Sequence, residues 1–188
     1  MKLIYFHLPK ILPYMIPVYD SAYQVSNDLG IELIDHITPK EDENAMHDGL
    51  ESIWKSDDIL KIDQDNLLTN ELAQSFLNCG YDLCISPTII YPKYSGIEKE
   101  MSNCQEYHDN LSDKKLLPVG FEQEFVTFGG GGMIKFSKSW QNKIDLPSFP
   151  WIQSDTKFHD MALETNTKFH VHEWHEHTKD NLEYEIYQ

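Results

Sequence analysis

The sequence predicts an α/β fold in which a mostly parallel sheet carries helices on both faces. Three observations predict it. Short strand-like apolar runs alternate with amphipathic stretches through the first half of the chain, turn and cap residues fall at the junctions, and one longer, mainly apolar run suits a buried strand.

Each element follows in order. Lys2 to His7 (KLIYFH) is a β-rich run that ends at Leu8-Pro9, and a helix is expected from about Tyr14 to Leu29, with Gly30 suited to its C-cap. Ile31 to Ile37 (IELIDHI) alternates like a strand. Pro39 then precedes an acidic-started helix over Glu41 to Lys55, and Asp58 to Ile62 (DILKI) is a third short strand. Leu67 to Asn78 is again helical and is stopped by Gly80, after which Tyr81 to Tyr91 (YDLCISPTIIY) suits a buried strand. Residues 92–118 are polar and aperiodic and are expected to form a loop or insertion. Apolar alternation resumes from Val119 to Phe136, broken by Gly129 to Gly132. A short helix from Ser137 to Ile144, a loop from Pro147 to Trp151, a helix from Ser154 to Glu164 and a strand from Lys168 to Trp174 complete the pattern.

At 188 residues, with 40% hydrophobic and 12% aromatic side chains, the chain suits one domain with a packed core. Its mean hydropathy is -0.49, and no apolar run approaches the roughly 18 residues of a membrane helix. Acidic residues outnumber basic ones 31 to 15, so the formal charge is -16. That field opposes nucleic acid and anionic lipid, and a phosphorylated ligand would need a metal ion or local lysines. All 15 basic residues are lysine, which removes the bidentate guanidinium clamp on phosphate. Cys79, Cys84 and Cys104 have no zinc-ribbon spacing and read as reduced thiols, which together with the lack of a signal peptide suggests a cytoplasmic protein.

Four segments could carry chemistry. Asp63-Gln64-Asp65 lies where the third strand ends, the place where open α/β sheets bind ligands; two carboxylates there can hold a hard cation against a diphosphate, or can be a solvated acidic turn. The run from His170 to His177 holds four of the nine histidines. On a strand His170 and His172 share one face, and His175 or His177 could join a metal site after a bend; a tail that binds nothing specific is the alternative. In FVTFGGGGMIKF the glycines permit either a tight hairpin or close approach of backbone to a flat ligand. In PWIQSDTKFHD, Asp155 sits at a helix start beside an aromatic loop, as an N-cap or as a general base for a hydroxyl.

Taken together, DILKIDQDN, LLTNELAQSFLNCGYDLCISPTIIYP, FGGGGMIKFSKSW and PWIQSDTKFHDMALETNTKFHVHEWHEH resemble, in this order, the small GT-A fold nucleotide-sugar glycosyltransferases over roughly Asp58 to His177. The resemblance implies a three-layer, Rossmann-like sheet with an antiparallel C-terminal portion. It also implies a single domain over residues 1–188, with a nucleotide-binding half at 1–91 and an acceptor and metal half at 119–177. On that basis Asp63 and Asp65 would hold Mn²⁺ or Mg²⁺ and the sugar nucleotide, with Asp65 the direct ligand, and His172 or His175 would complete the shell. Gly130, Gly131 and Trp151 would contact the nucleotide sugar, Asp155 would serve as base, and Lys135 or Lys138 would stand in for arginine near the diphosphate. The implied partners are a nucleoside-diphosphate sugar donor and a hydroxyl acceptor, the latter and the oligomeric state being open. Two other readings of the same residues are a nucleotidyltransferase or inactive sugar-nucleotide binder, and a non-enzymatic histidine-rich metal-binding protein.

Overall fold

A computed structural model describes residues 1–90, 100–107, 114–130, 132–175 and 178. The N-terminal half follows the expected alternation. It comprises β1 (Lys2–His7), α1 (Ile16–Leu29), β2 (Glu32–Ile37), α2 (Ala45–Glu51), β3 (Ile59–Asp63), α3 (Asn70–Asn78) and β4 (Leu83–Ile85). Gly30 closes α1 in the left-handed region at φ 63°, where an L side chain would be strained. Thr69 caps α3 by accepting the Leu72 N–H at 3.2 Å, which satisfies one of the donors a helix start leaves unpaired.

The second half adds β5 (Ile89–Ile90), β6 (Met101–Tyr107), β7 (Lys114–Pro118), β8 (Phe125–Val126), β9 (Phe128–Gly129) and β10 (Met133–Phe136), then α4 (Lys138–Gln141), α5 (Ser154–Glu164) and β11 (Phe169–Val171). Seven strands form the main sheet in the order β2-β1-β3-β10-β4-β11-β8. β2, β1, β3, β4 and β11 run one way, while β10 and β8 oppose them.

Two apolar clusters cover the two faces. Residues 3, 5, 60 and 62 of β1 and β3 pack against Val18, Ala22 and Val25 of α1 and Leu72, Ala73 and Phe76 of α3. Residues 4, 6 and 59 face Met46 and Leu50 of α2, Trp140 of α4 and Phe158, Met161 and Ala162 of α5. Period-two alternation along the strands assigns each side chain to its face. The second cluster is aromatic-rich: Phe136 lies 5.9 Å from Trp140 and 4.9 Å from Phe158 between ring centroids, and Trp140 Nε1 donates to Thr165 Oγ1 at 2.8 Å. Among the described residues, no helix is long and apolar enough to cross a membrane.

The structure corrects three expectations. The single strand expected over Tyr81 to Tyr91 is broken: β4 stops at Ile85, Pro87 has no N–H for a ladder, and Thr88 N–H bonds instead to Asn103 Oδ1 at 3.0 Å. Residues 92–118 are not wholly loop. β6 and β7 pair antiparallel, β5 and β9 flank β6, and together they form a second, four-stranded sheet. The helix expected over Glu41 to Lys55 contracts to Ala45–Glu51, with turns on either side. Tyr91 and residues 92–99 and 108–113 lie outside the described residues.

Candidate functional site

β1 pairs with β2 on one side and β3 on the other, so the connection leaving β1, to β2, and the one leaving β3, to β4, run to opposite sides. This is the position at which open α/β sheets form a ligand crevice. A cavity of about 430 Å³ opens there, lined by Phe6 in β1 and Leu8 after it, Thr38, Pro39 and Lys40 after β2, and Asp63, Gln64 and Asp65 at the end of β3; Tyr14, Met46 and Trp151 lie farther round the wall. Gln64 ties two rims together, since its Oε1 accepts the Leu8 N–H at 3.1 Å. Trp151, expected to contact a nucleotide sugar, lines this cavity and is 45% exposed.

Asp63 shares the α2 face of β3 with Lys61, two residues earlier. Lys61 has no exposed surface, and its Nζ lies 2.7 and 2.8 Å from the two carboxylate oxygens of Asp63. Burial pushes the Asp63 carboxyl up to about 6; Lys61 opposes the rise, while Asp65 and Asp155 add to it. Asp155, in the first turn of α5, is thus close enough for its charge to bear on Asp63. Sequence reasoning passed over Lys61, although a lone lysine inside the apolar run DILKI was a visible signal.

Asp65 is held by its neighbours. Asn66 Nδ2 donates to Asp65 Oδ1 at 2.8 Å, and the Thr178 N–H donates to the Asp65 carbonyl at 2.8 Å. Burial and the charge of Asp65 keep the Tyr14 hydroxyl raised, so it remains a neutral donor on the cavity wall. The Asp63–Asp65 pair offers hard oxygen donors at a strand end, and a divalent cation would relieve the mutual repulsion of Asp63, Asp65 and Asp155. Paired carboxylates are the hard oxygen chemistry that Mg²⁺ or Mn²⁺ takes.

The two histidines assigned to the same shell are placed elsewhere. His175 is buried, with Nε2–H donating to Asn66 Oδ1 at 2.5 Å and Nδ1 2.9 Å from Ser86 Oγ. It therefore positions Asp65 at one remove, through Asn66. His172 packs on Phe76 at 4.5 Å between centroids and hydrogen-bonds Ser75 of α3, on the opposite face of the sheet from Asp63. His177 lies outside the described residues, as does Gly131.

The glycine-rich turn also differs from expectation. A Cβ on Gly130 would meet Asn103 Nδ2 at 2.7 Å, and one on Gly132 would meet Asn66 Oδ1 at 2.5 Å. The close approach made by these glycines is to the protein's own asparagines, which lets Asn66 reach both Asp65 and His175. Lys135 and Lys138 are likewise remote from the cavity: Lys135 Nζ bonds the Cys79 carbonyl at 2.7 Å, and Lys138 Nζ bonds the Ser56 carbonyl beyond the amino end of β3. The lysines at the site are Lys61 and Lys40.

No protein-family model and no curated protein sequence matches the chain. Solved structures do. A197 from STIV superposes with a TM-score of 0.58 at 16% identity, over 93% of this chain and 83% of that one. A CMP:2-keto-3-deoxy-manno-octonic acid synthetase complexed with CTP gives 0.48 at 11% identity, over 92% and 88%. A glycosyltransferase involved in glycosylation of the major capsid of PBCV-1 gives 0.47 at 12% identity, over 92% and 81%. At these identities the likeness concerns the fold, a mixed α/β arrangement around a mostly parallel sheet.

Proposed function

We propose that this protein is a metal-dependent glycosyltransferase that moves a sugar from a nucleoside-diphosphate sugar to an acceptor hydroxyl. The observation that carries the reading is the placement of Asp63 and Asp65 at the carboxyl end of β3, inside a cavity of about 430 Å³ that also holds Trp151 and Lys40. Trp151 offers an exposed ring for a base or sugar face, and Lys40 supplies positive charge for phosphate at the rim. Asp65, fixed by Asn66, and Asp63 would hold Mg²⁺ or Mn²⁺; when bound, the cation offsets the charge of the departing diphosphate. With both oxygens of Asp63 facing Lys61, Asp65 is the more available ligand. Asp155 is the base that accepts the proton of the attacking hydroxyl.

Nucleotidyl transfer is the second reading. Asp63 and Asp65 at the end of β3 would hold a metal-bound triphosphate as readily as a diphosphate sugar. Thermal unfolding with Mg²⁺ or Mn²⁺, crossed with nucleoside diphosphates, their sugars and nucleoside triphosphates, separates the readings. A sugar nucleotide at about 100 times its Kd should add about 2.7 kcal/mol, or about 5–11 °C, only with metal and not in Asp65→Asn. A larger metal-dependent shift with a triphosphate would favour nucleotidyl transfer. No nucleotide-dependent shift in either set would overturn both.

A further inference from the structure

Behind the sheet, on the α3 face, Cys79, Cys84, His170 and His172 converge so that one ligand atom from each lies within 4.8 Å of all the others. They come from three elements. Cys79 is the residue that ends α3, Cys84 lies in β4, and His170 is its register partner in the parallel strand β11. The backbone N–H of His172 bonds the Ile85 carbonyl at 2.8 Å, which keeps the second imidazole beside the first, 4.9 Å between centroids. All three cysteines, including Cys104, are free thiols.

The hydrogen bonds around the two imidazoles prepare them as ligands. With Ser75 Oγ donating to the Leu72 carbonyl at 2.8 Å, His172 Nδ1, 3.1 Å from that oxygen, is the N–H donor to it. The lone pair of His172 is thereby placed on Nε2, a buried atom with no hydrogen-bond partner among the described residues. His170 has the opposite arrangement: Nδ1 lies 3.7 Å from Cys79 Sγ, while Nε2 is 3.9 Å from Glu124 Oε1. At 3.9 Å this carboxylate, which accepts the Tyr81 hydroxyl at 3.2 Å, is beyond hydrogen-bond reach of the imidazole and would have to close on it to give the support that metal-bound histidines take. Tyr81 stacks on His170 at 4.3 Å and Phe76 packs on His172 at 4.5 Å, which fixes both rings. Lys135 Nζ, bonded to the Cys79 carbonyl at 2.7 Å, brings positive charge beside the thiols.

The geometry points to a structural Zn²⁺ site formed by Cys79, Cys84, His170 and His172, separate from the cavity that holds Asp63 and Asp65. Two sulfurs and two imidazole nitrogens are a soft, four-coordinate set of the kind Zn²⁺ takes in closed sites. With Zn–S near 2.3 Å, two tetrahedral thiolates sit about 3.8 Å apart. Cys79 and Cys84 sulfurs are 2.7 Å apart, so binding opens the pair by about 1 Å, a movement available to the half-buried Cys79. Each thiol loses its proton to solvent as its Zn–S bond forms, no electrons are transferred, and the two thiolates balance the charge of the ion. The ion would clamp the end of α3 to β4 and β11 near the sheet edge.

The test uses the full chain purified under reducing conditions. Metal analysis should find one Zn²⁺ per protein. Replacement by Co²⁺ should give tetrahedral visible bands with a thiolate-to-cobalt charge-transfer band, a signature that Asp63, Asp65 or surface histidines cannot produce. Cys79→Ser and His170→Gln should weaken binding by more than the roughly 10–100-fold of an outer-shell change, Glu124→Gln by about that range, and Cys104→Ser not at all. Because Co²⁺ titration of the unaltered protein reads thiolate ligation directly, a variant that fails to fold leaves the test intact. Absence of the charge-transfer band, binding indifferent to Cys79→Ser in folded protein, or a Cys79–Cys84 disulfide that persists under reductant would each overturn the assignment.

Discussion

Replacing Lys61 with methionine retains most of the side-chain length in a position with no exposed surface and removes the ammonium that lies 2.7 and 2.8 Å from the two Asp63 oxygens. In the unaltered protein burial has already raised Asp63 to about 6, with Asp65 and Asp155 adding to the rise and Lys61 restraining it. A carboxyl raised in the folded state binds its proton more tightly there than in the unfolded chain. Its stabilising contribution is therefore complete below about pH 4 and is lost as pH rises through about 6, by about 3 kcal/mol in all. Without Lys61 that loss extends beyond neutrality. Near pH 5 Asp63 is largely protonated in both proteins, and the substitution removes about 1 kcal/mol of hydrogen bonding while relieving a buried ammonium. Near pH 8 the variant must keep the proton or leave a partly exposed carboxylate unpaired on the cavity wall, a penalty of about 1–3 kcal/mol, or about 2–12 °C in Tm. Urea unfolding at both pH values for Lys61→Met, Asp63→Asn and the double variant, with the Asp63 carboxyl followed by NMR, measures the difference. Equal destabilisation at pH 5 and pH 8, or an Asp63 midpoint that stays near 6 in Lys61→Met, would refute the reasoning.

Two further outcomes follow from local packing. Gly49→Ala in α2 should destabilise by about 1–3 kcal/mol although alanine is the better helix former by about 1, because its Cβ would lie 2.7 Å from His36 Cδ2 and 2.8 Å from Phe6 Cε1; a rise in Tm would contradict it. Asn66→Ala removes the acceptor of the buried His175 Nε2–H and the amide donor to Asp65 Oδ1, so a loss of about 1–3 kcal/mol is expected together with weaker metal-dependent nucleotide stabilisation. Calorimetry and the nucleotide panel read the two effects separately.

The parallel half of the sheet was legible because local signals and tertiary packing agree there. KLIYFH, IELIDHI and DILKI form β1, β2 and β3 with boundaries shifted by a residue at most, and Gly30 ends α1 where a left-handed residue is needed. The second sheet was hidden because its strands are short or polar. MSNCQEY has no apolar alternation, and it is a strand because Ile89 and Phe128 flank it and Ser102 and Cys104 are buried beneath that pairing. The same long-range partnership turns YDLCISPTIIY into two strands of two different sheets.

The candidate site divides along the same line. Asp63 and Asp65 were visible because the end of a strand can be read from local pattern, and that end lies at the crevice in this topology. His170 and His172 were correctly expected to share a face, yet nothing local says which face. That choice is made by Phe169 and Val171, which enter the cluster holding Phe158 and Met161, and by the pairing of His170 with Cys84. A slip of one residue in β11 would turn the histidines toward the α5 face and move Phe169 to the α3 face, and the burial of Phe169 in the α5-side cluster opposes it. The apolar residues between the histidines thus decide their surroundings: they carry His172 away from the carboxylates of Asp63 and Asp65 and place it beside two thiols.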